Sequence, residues 1–450
     1  MRPAVRSTSS HSAQAESSHA DGLLQAPPAW LCWSVWGIGA AFYLMAFYQR
    51  VSPAVMTGEL MRDFHIGAKQ LGNLSAFYFY LYVAMQIPIG ICIDRWGAKK
   101  VLIGGSISAA FGAFLFGSTD SFALACLGRA IMGGATAVGW LVILKLATHW
   151  FPRVRFAMLS GLGLFIGNMG SLTAQVPLRL LIEHFGWRAT ALASAMVTLG
   201  VGALAWMVVE NDPSQKGFLS YAPDELKSRV ETDFRSVLIG FKRVFGYANT
   251  WLIFLAQGGM VGPVLSFTGL WGVPFLSRRY GLSSKSAAAV CSVMIICWAV
   301  ASPICGSLSD RMGRRKPIYL GGALVSTLGW IVLFYLHTLP LAAFVVVAAI
   351  TTLACGSGVL GFAYSKEKVP IRYVGTISAV TNIGNMLGPT VLQPAIGWML
   401  DKQWTGEMVN GTRLYSVHAF QAAFALIVLW STASCLLIAF TRETYCEQNV

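Results

Sequence analysis

GICIDRWGAKK, from Gly90 to Lys100, sits between two long apolar runs and places an aspartate, an arginine and two lysines around a bare glycine. A second segment, GSLSDRMGRRKP from Gly306 to Pro317, repeats the pattern, and Asp310 follows Asp94 by 216 residues. One such segment reads as a charged loop. Two of them, half a chain apart and each between apolar runs, read as a duplicated membrane protein.

Composition agrees. Of 450 residues, 55% are hydrophobic and 12% charged, against about 25% charged in soluble domains. Mean hydropathy is +0.60, and the apolar runs reach the roughly 20 residues that a helix needs to span a bilayer. A formal charge of +14 could suggest nucleic acid, but the basic residues gather in alternate loops, so no nucleic-acid partner is expected. The nine cysteines lie mostly inside apolar runs and form no CxxC pair; they read as packing residues, with no metal site or disulfide framework. Residues 1–29 are rich in Ser, Ala and His and lack the apolar core of a signal peptide. They read as a disordered cytoplasmic tail.

Twelve spans are expected at 31–56, 71–93, 101–118, 122–148, 156–182, 188–209, 248–276, 286–307, 318–336, 340–364, 373–399 and 416–440. All read as helices, because an open strand leaves its backbone unsatisfied in lipid. The fold class is thus all-α, with six-helix halves at 30–209 and 248–440, a cytoplasmic linker at 210–247 and a tail at 441–450. With the N-terminus in the cytoplasm, tails and loops on that side carry 21 basic residues and the opposite loops carry 8, which favours both termini inside. IGNM recurs at 166–169 and 383–386, offset by 217. A parallel repeat of two six-span halves gives that offset.

The doubled motif resembles the signature of the major facilitator superfamily, G-x-x-x-D-R-x-G-R-[KR]-[RK]. The first copy matches at Gly90, Asp94, Arg95, Gly97, Lys99 and Lys100, with Ala98 where Arg is usual; the second matches at Gly306, Asp310, Arg311, Gly313, Arg314, Arg315 and Lys316. The residues support a gate independently. Gly90 and Gly306 would let helices approach closely, and Asp94 and Asp310 stand at helix ends, where a carboxylate caps a neighbouring helix or pairs with a loop arginine. A narrower resemblance is to the anion:cation symporter branch, which includes hexuronate and phthalate-type carriers. FYQRVSPAV (47–55) is similar to its first-helix stretch, with Ser52 in place of the asparagine and Tyr48 outside the tyrosine register. GRAIMGGATA (128–137) is similar to its fourth helix, with Thr136 at the acidic position.

An arginine within a span costs about 2.5–3.5 kcal/mol on insertion scales and by default faces a cavity or a partner. Arg50 either snorkels to the outer interface or faces the cavity. Arg129 lies deeper, bound to backbone carbonyls or to substrate. Arg50, Arg129, Tyr43, Phe47, Asn168, Gln257, Trp271 and Asn382 are the candidate substrate residues, although each polar residue alone is more often a helix–helix contact. Tyr78 and Tyr82 read as packing, Lys145 as an interface anchor, and Arg179 as paired with Glu183 at i+4. No metal-ligand spacing, phosphate loop or nucleophile elbow occurs, so no enzyme, metal or cofactor is expected.

The expectation is a monomeric secondary transporter of the plasma (inner) membrane, moving a small organic anion by alternating access. A ligand-binding sensor, an exchanger or facilitator, an amino-acid or peptide carrier and a drug exporter are the alternatives. The resemblance implies proton coupling, yet no span carries a deep Asp or Glu. Reporter fusions at position 230 and beyond 445 should read cytoplasmic, and one at 410 should read external. An external signal at 230 would invert the topology.

Overall fold

The computed structural model describes residues 25–222, 234–370, 373–409 and 411–447. Most of the expected N-terminal tail, 223–233 of the linker and 448–450 lie outside the described residues. Twelve long helices are present among those described: α1 Ala29–Val55, α2 Ala68–Trp96, α3 Ala98–Ser118, α4 Phe122–Trp150, α5 Arg153–Phe185, α6 Trp187–Val208, α7 Ala248–Tyr280, α8 Ser284–Met312, α9 Lys316–Tyr335, α10 Leu341–Lys366, α11 Val374–Lys402 and α12 Val417–Ala439. Eleven are long and apolar enough to cross a membrane. α11 is as long, with 29 residues, but is diluted by Asn382, Asn385, Gln393 and two prolines. The expected spans fall within a few residues of these bounds.

α5 breaks at Ala174–Gln175, and four further breaks fall where the two halves correspond. α1 tightens into a 3-10 turn at Ser52–Val55, and α4 is interrupted at Ala137. α7 widens into a π-helix at Phe267–Trp271, and α10 carries a 3-10 turn at Gly356–Val359. These are the first and fourth helices of each half. Such breaks need local replacements for lost backbone bonds. Pro263, inside α7, cannot donate to Gly259, and the Ser431 hydroxyl of α12 takes that carbonyl at 3.2 Å.

Both acidic motifs turn on a glycine with positive φ, Gly97 at 84° and Gly313 at 63°, a conformation costly for any other residue. Each turn is then tied down by a residue following the sixth helix of its half. Asn211 accepts from the Lys99 amide at 2.8 Å, and Glu443 accepts from the Arg315 and Lys316 amides at 3.0 Å each. Burial opposes ionisation of Glu443, but the backbone donors outweigh it and hold its carboxyl below the usual carboxylate range. The described part of the expected C-terminal tail is therefore folded against the second motif.

The face bearing both motifs and the first and last described residues is here called the motif face, and the opposite one the far face. Among the described residues, the hydrogen bonds joining the two halves lie at or just beneath the far face. Asp401 of α11 accepts from the Ala68 and Lys69 amides at the start of α2, at 3.2 and 2.9 Å, where the helix dipole favours a carboxylate. Arg413 and Tyr415 hold the same carboxylate from behind. Gly72 and Gly397 let α2 and α11 meet there, since a Cβ at either would strike the other helix's backbone. Deeper, Gln175 of α5 donates to the Thr268 carbonyl at 2.9 Å.

The motif face differs. Asp94 pairs with Lys145, and Asp310 and Glu367 pair with Arg315, each within its own half. Lys145 thus holds the motif rather than serving only as an interface anchor. The close helix approach expected at Gly90 and Gly306 is corrected: a Cβ at either position would meet nothing within 4 Å.

Asp401→Asn weakens the cap and its ion pair without changing shape. Losing a charge-assisted bond of about 1.5–3 kcal/mol should shift the population toward a parted far face. Pulsed electron resonance distances between spin labels on the 66–69 and 403–406 segments would report it; an unchanged distribution would show that Asp401 is not the latch.

Candidate functional site

The first half gathers its buried charges around one tyrosine. Arg129, Gly133 and Thr136 stand at i, i+4 and i+7 on α4, and so share a helix face. That face clasps Tyr78 of α2. The Arg129 guanidinium carbon lies 5.0 Å from the Tyr78 ring centre, and the Thr136 hydroxyl lies 2.5 Å from the Tyr78 hydroxyl. Gly133 packs on the Tyr78 backbone, where a Cβ would run into its carbonyl oxygen. The Tyr78 hydroxyl also donates to the Ala46 carbonyl of α1 at 2.9 Å.

Arg50 approaches Tyr78 from α1. Its guanidinium carbon lies 4.4 Å from the Phe47 ring centre, 4.9 Å from Tyr82 and 5.8 Å from Tyr78. Aromatic faces attract cations, and with 4% of its surface exposed the side chain does not snorkel. Arg129 is fully buried and donates from Nη1 to the Gln49 carbonyl at 2.6 Å. That carbonyl lies in the last turn of the regular α1 helix, the end that favours a cation. Arg50 Nε and Arg129 Nε and Nη2 have no partner among the described residues. Neither arginine pairs with a described carboxylate. Gln49 completes this wall, donating from Nε2 to Thr198 of α6 at 3.1 Å.

Tyr43 and Phe47 belong to the same cluster, with ring centres 4.8 Å apart. Gly139 and Gly167 leave room for the Tyr43 ring. Asn168 of α5 donates to its own helix at the Leu164 carbonyl. The second-half candidates are placed elsewhere. Gln257 is buried inside that half, donating to the Gly358 carbonyl and accepting from Tyr319. Trp271 donates to the Gln393 carbonyl of α11 at 3.1 Å, and Asn382 is half-buried on α11. The second half reaches the arginine cluster through the π segment of α7, which packs on Ser52–Val55 just after Arg50. Gln49, Tyr78, Tyr82 and Thr136 were not among the sequence candidates; the i, i+4 spacing of Tyr78 and Tyr82 and the α4 stripe are the signals that mark them.

Other charges are paired at the two faces. Arg179 bonds Glu59 as well as Glu183, a wider network than the expected i+4 pair. His149 lies 2.8 Å from Asp212. Burial opposes ionisation of Asp212, but bonds from His149, Ser214 and Ser220 outweigh it and hold its carboxyl well below the usual range. A groove of about 520 Å³, lined by Leu44, Tyr48, Leu181, Phe185 and Val197 among others, opens between α1, α5 and α6. It is apolar and includes neither arginine. No cluster of metal-ligating side chains occurs among the described residues.

Comparison with known proteins is consistent with this architecture. A galactarate/D-glucarate transporter assigned as probable, GudP of Escherichia coli (strain K12), is 23% identical over 88% of this chain and 92% of its own. The membrane sensor protein UhpC of Salmonella typhimurium is 23% identical over 67% of this chain and 71% of its own. A bacterial homologue of the human lysosomal transporter Spinster, crystallised in an inward-facing, unoccupied conformation, shares the fold with a TM-score of 0.73 and 17% identity. That match covers 92% of this chain and 97% of the other. The profile of the Major Facilitator Superfamily matches residues 35–392 and 261–445. With its twelve helices and doubled motif, the chain is a multi-pass membrane protein that belongs to the Major Facilitator Superfamily.

Proposed function

We propose that this protein carries a small organic anion across the membrane by alternating access, with Arg50 and Arg129 supplying the positive site. One observation carries the reading: two buried guanidinium groups face one aromatic cage with no described carboxylate beside them. A guanidinium stays protonated under all ordinary conditions, so the site holds standing positive charge. A carboxylate or sulfonate satisfies it with paired N–H···O bonds. The similarity to a galactarate/D-glucarate transporter supports the same substrate class.

In this reading Arg50 grips the anion and Arg129 fixes the α1 end that presents it. Tyr43, Phe47 and Asn168 form the first-half wall, and Gln257, Trp271 and Asn382 belong to the second-half wall that swings onto it. The motif face lies in the cytoplasm, both termini with it, in the plasma (inner) membrane of a monomer. Gly90, Asp94, Arg95, Gly97 and Lys99, with Gly306, Asp310, Arg311, Gly313 and Arg314, form the gate at that face. The breaks in α1, α4, α7 and α10 supply flexible points beside a midplane site. The resemblance implies proton-driven symport as the energy source; anion exchange is the other mode that such a site supports.

A second reading, a ligand sensor that does not transport, is favoured by the similarity to UhpC. Saturable uptake into liposomes means a carrier, and binding without uptake means a sensor.

Binding by purified protein should be measured by thermal shift with D-glucarate, D-glucuronate, phthalate and sulfoacetate, since a ligand stabilises the state it binds. Arg50→Lys keeps the charge and loses the fork, and should weaken the stabilising anion by roughly tenfold, about 1.4 kcal/mol. Arg50→Gln should abolish the shift. Asp310→Asn should leave affinity within a few-fold, because a gate residue changes populations more than the site. Unchanged affinity in Arg50→Lys and Arg50→Gln would reject the anion site and favour a hydrophobic cargo.

A further inference from the structure

The charge balance around the arginines bears on how transport is driven. Within and beside the spans, the described carboxylates are committed elsewhere. Glu59 and Glu183 bond Arg179, Asp94 bonds Lys145, Asp310 and Glu367 bond Arg315, and Asp401 bonds Arg413. At the loops, Asp63, Asp120, Glu210, Asp212 and Glu407 bond Trp187, Arg188, Lys99, His149 and Arg278. The titratable groups facing the arginine pair are Tyr43, Tyr78, Tyr82 and Cys126. These are phenols and a thiol, and none is a carboxylate.

A carrier must close over its site twice in each cycle, once in each direction. Closing with an anion bound seals a compensated cluster. Closing empty seals two bare guanidinium charges in a medium where uncompensated charge is costly. A buried carboxylate would remove that cost by pairing with the arginines during the empty return. Here the polar side chains of the cluster are Tyr78, Tyr82, Thr136 and Gln49, none of them a carboxylate, with Gln49 Oε1 buried and unpartnered.

We propose that the protein is an obligatory anion exchanger: an anion occupies the Arg50–Arg129 site in both half-cycles, and the countersubstrate is a second small carboxylate or sulfonate. This rests on the anion reading above and replaces proton symport as the mode that the site supports. Charge and substrate balance, since one anion leaves for each that enters and no proton is required.

The test uses the full chain in liposomes, with labelled D-glucarate, D-glucuronate, phthalate and sulfoacetate supplied outside. The lumen holds either chloride buffer alone or the same four anions unlabelled. Label should enter roughly tenfold faster or more into anion-loaded vesicles, and neither an imposed pH gradient nor an uncoupler should alter the rate. Equal uptake into chloride-only vesicles, or accumulation driven by the pH gradient and abolished by the uncoupler, overturns exchange while leaving anion transport standing. Entry under neither loading removes the anion-transport reading and exchange with it. Gln49→Glu is isosteric and adds a carboxylate in the last turn of α1, on the residue whose backbone carbonyl accepts from Arg129; it should raise uptake into chloride-only vesicles several-fold and narrow the difference between loadings. An unchanged ratio in a monodisperse variant that still binds an anion overturns the charge argument. Should that variant fail to fold, the loading comparison on the unaltered chain still decides.

Discussion

Arg129 sets the terms for the first half of the molecule. A guanidinium with no exposed surface must find compensation inside the bundle, and here it comes from a helix-end carbonyl and a tyrosine ring rather than a carboxylate. Holding that ring requires Gly133, which brings α4 onto the α2 backbone, and Thr136, which meets the tyrosine hydroxyl. The same hydroxyl reaches the Ala46 carbonyl on α1. One buried cation thereby fixes three helices relative to one another and sets where Arg50 emerges. Compensation by dipoles is weaker than by a formal charge. The cluster therefore keeps positive charge that no described carboxylate balances.

The far face supplies the complementary constraint. Asp401 spans the halves by capping α2, and Gln175 reaches the π segment of α7. At the motif face no described hydrogen bond or ion pair joins the halves. A two-state carrier needs this asymmetry, because bonds shared by both faces at once would fix a single conformation. The π segment is where the two constraints meet. It accepts the Gln175 bond, donates through Trp271 to α11, and packs on the turn that follows Arg50.

Much of this was legible in the residues. Helix bounds followed from apolar runs, and the motif glycines at 97 and 313 occupy the positive-φ turns that their position between helices demands. Arg50 and Arg129 stood out because a charge in a span is costly. Their surroundings were harder to read. Tyr78 looks like any aromatic residue in a membrane helix, and its role appears only when the Arg129–Gly133–Thr136 stripe is laid against it. Gln257 shows the opposite difficulty: a polar residue in a span can equally serve a ligand or bond a neighbouring helix, and spacing within one helix does not separate the two. Glu443 was read as part of a tail, because nothing local to TRETY shows that it returns 128 residues to cap α9.

Gly90 and Gly306 are equivalent glycines of the two motifs. A glycine inside a helix costs about 0.5–1 kcal/mol relative to alanine. Here neither position has a neighbour that would exclude a methyl group, so this conformation alone gives no reason for glycine at two equivalent sites. Gly72 and Gly397, at the far face, show what such residues do when helices of opposite halves meet. Gly90 and Gly306 stand at equivalent positions of the two motifs, where the proposed gate would need small residues to admit approaching helices.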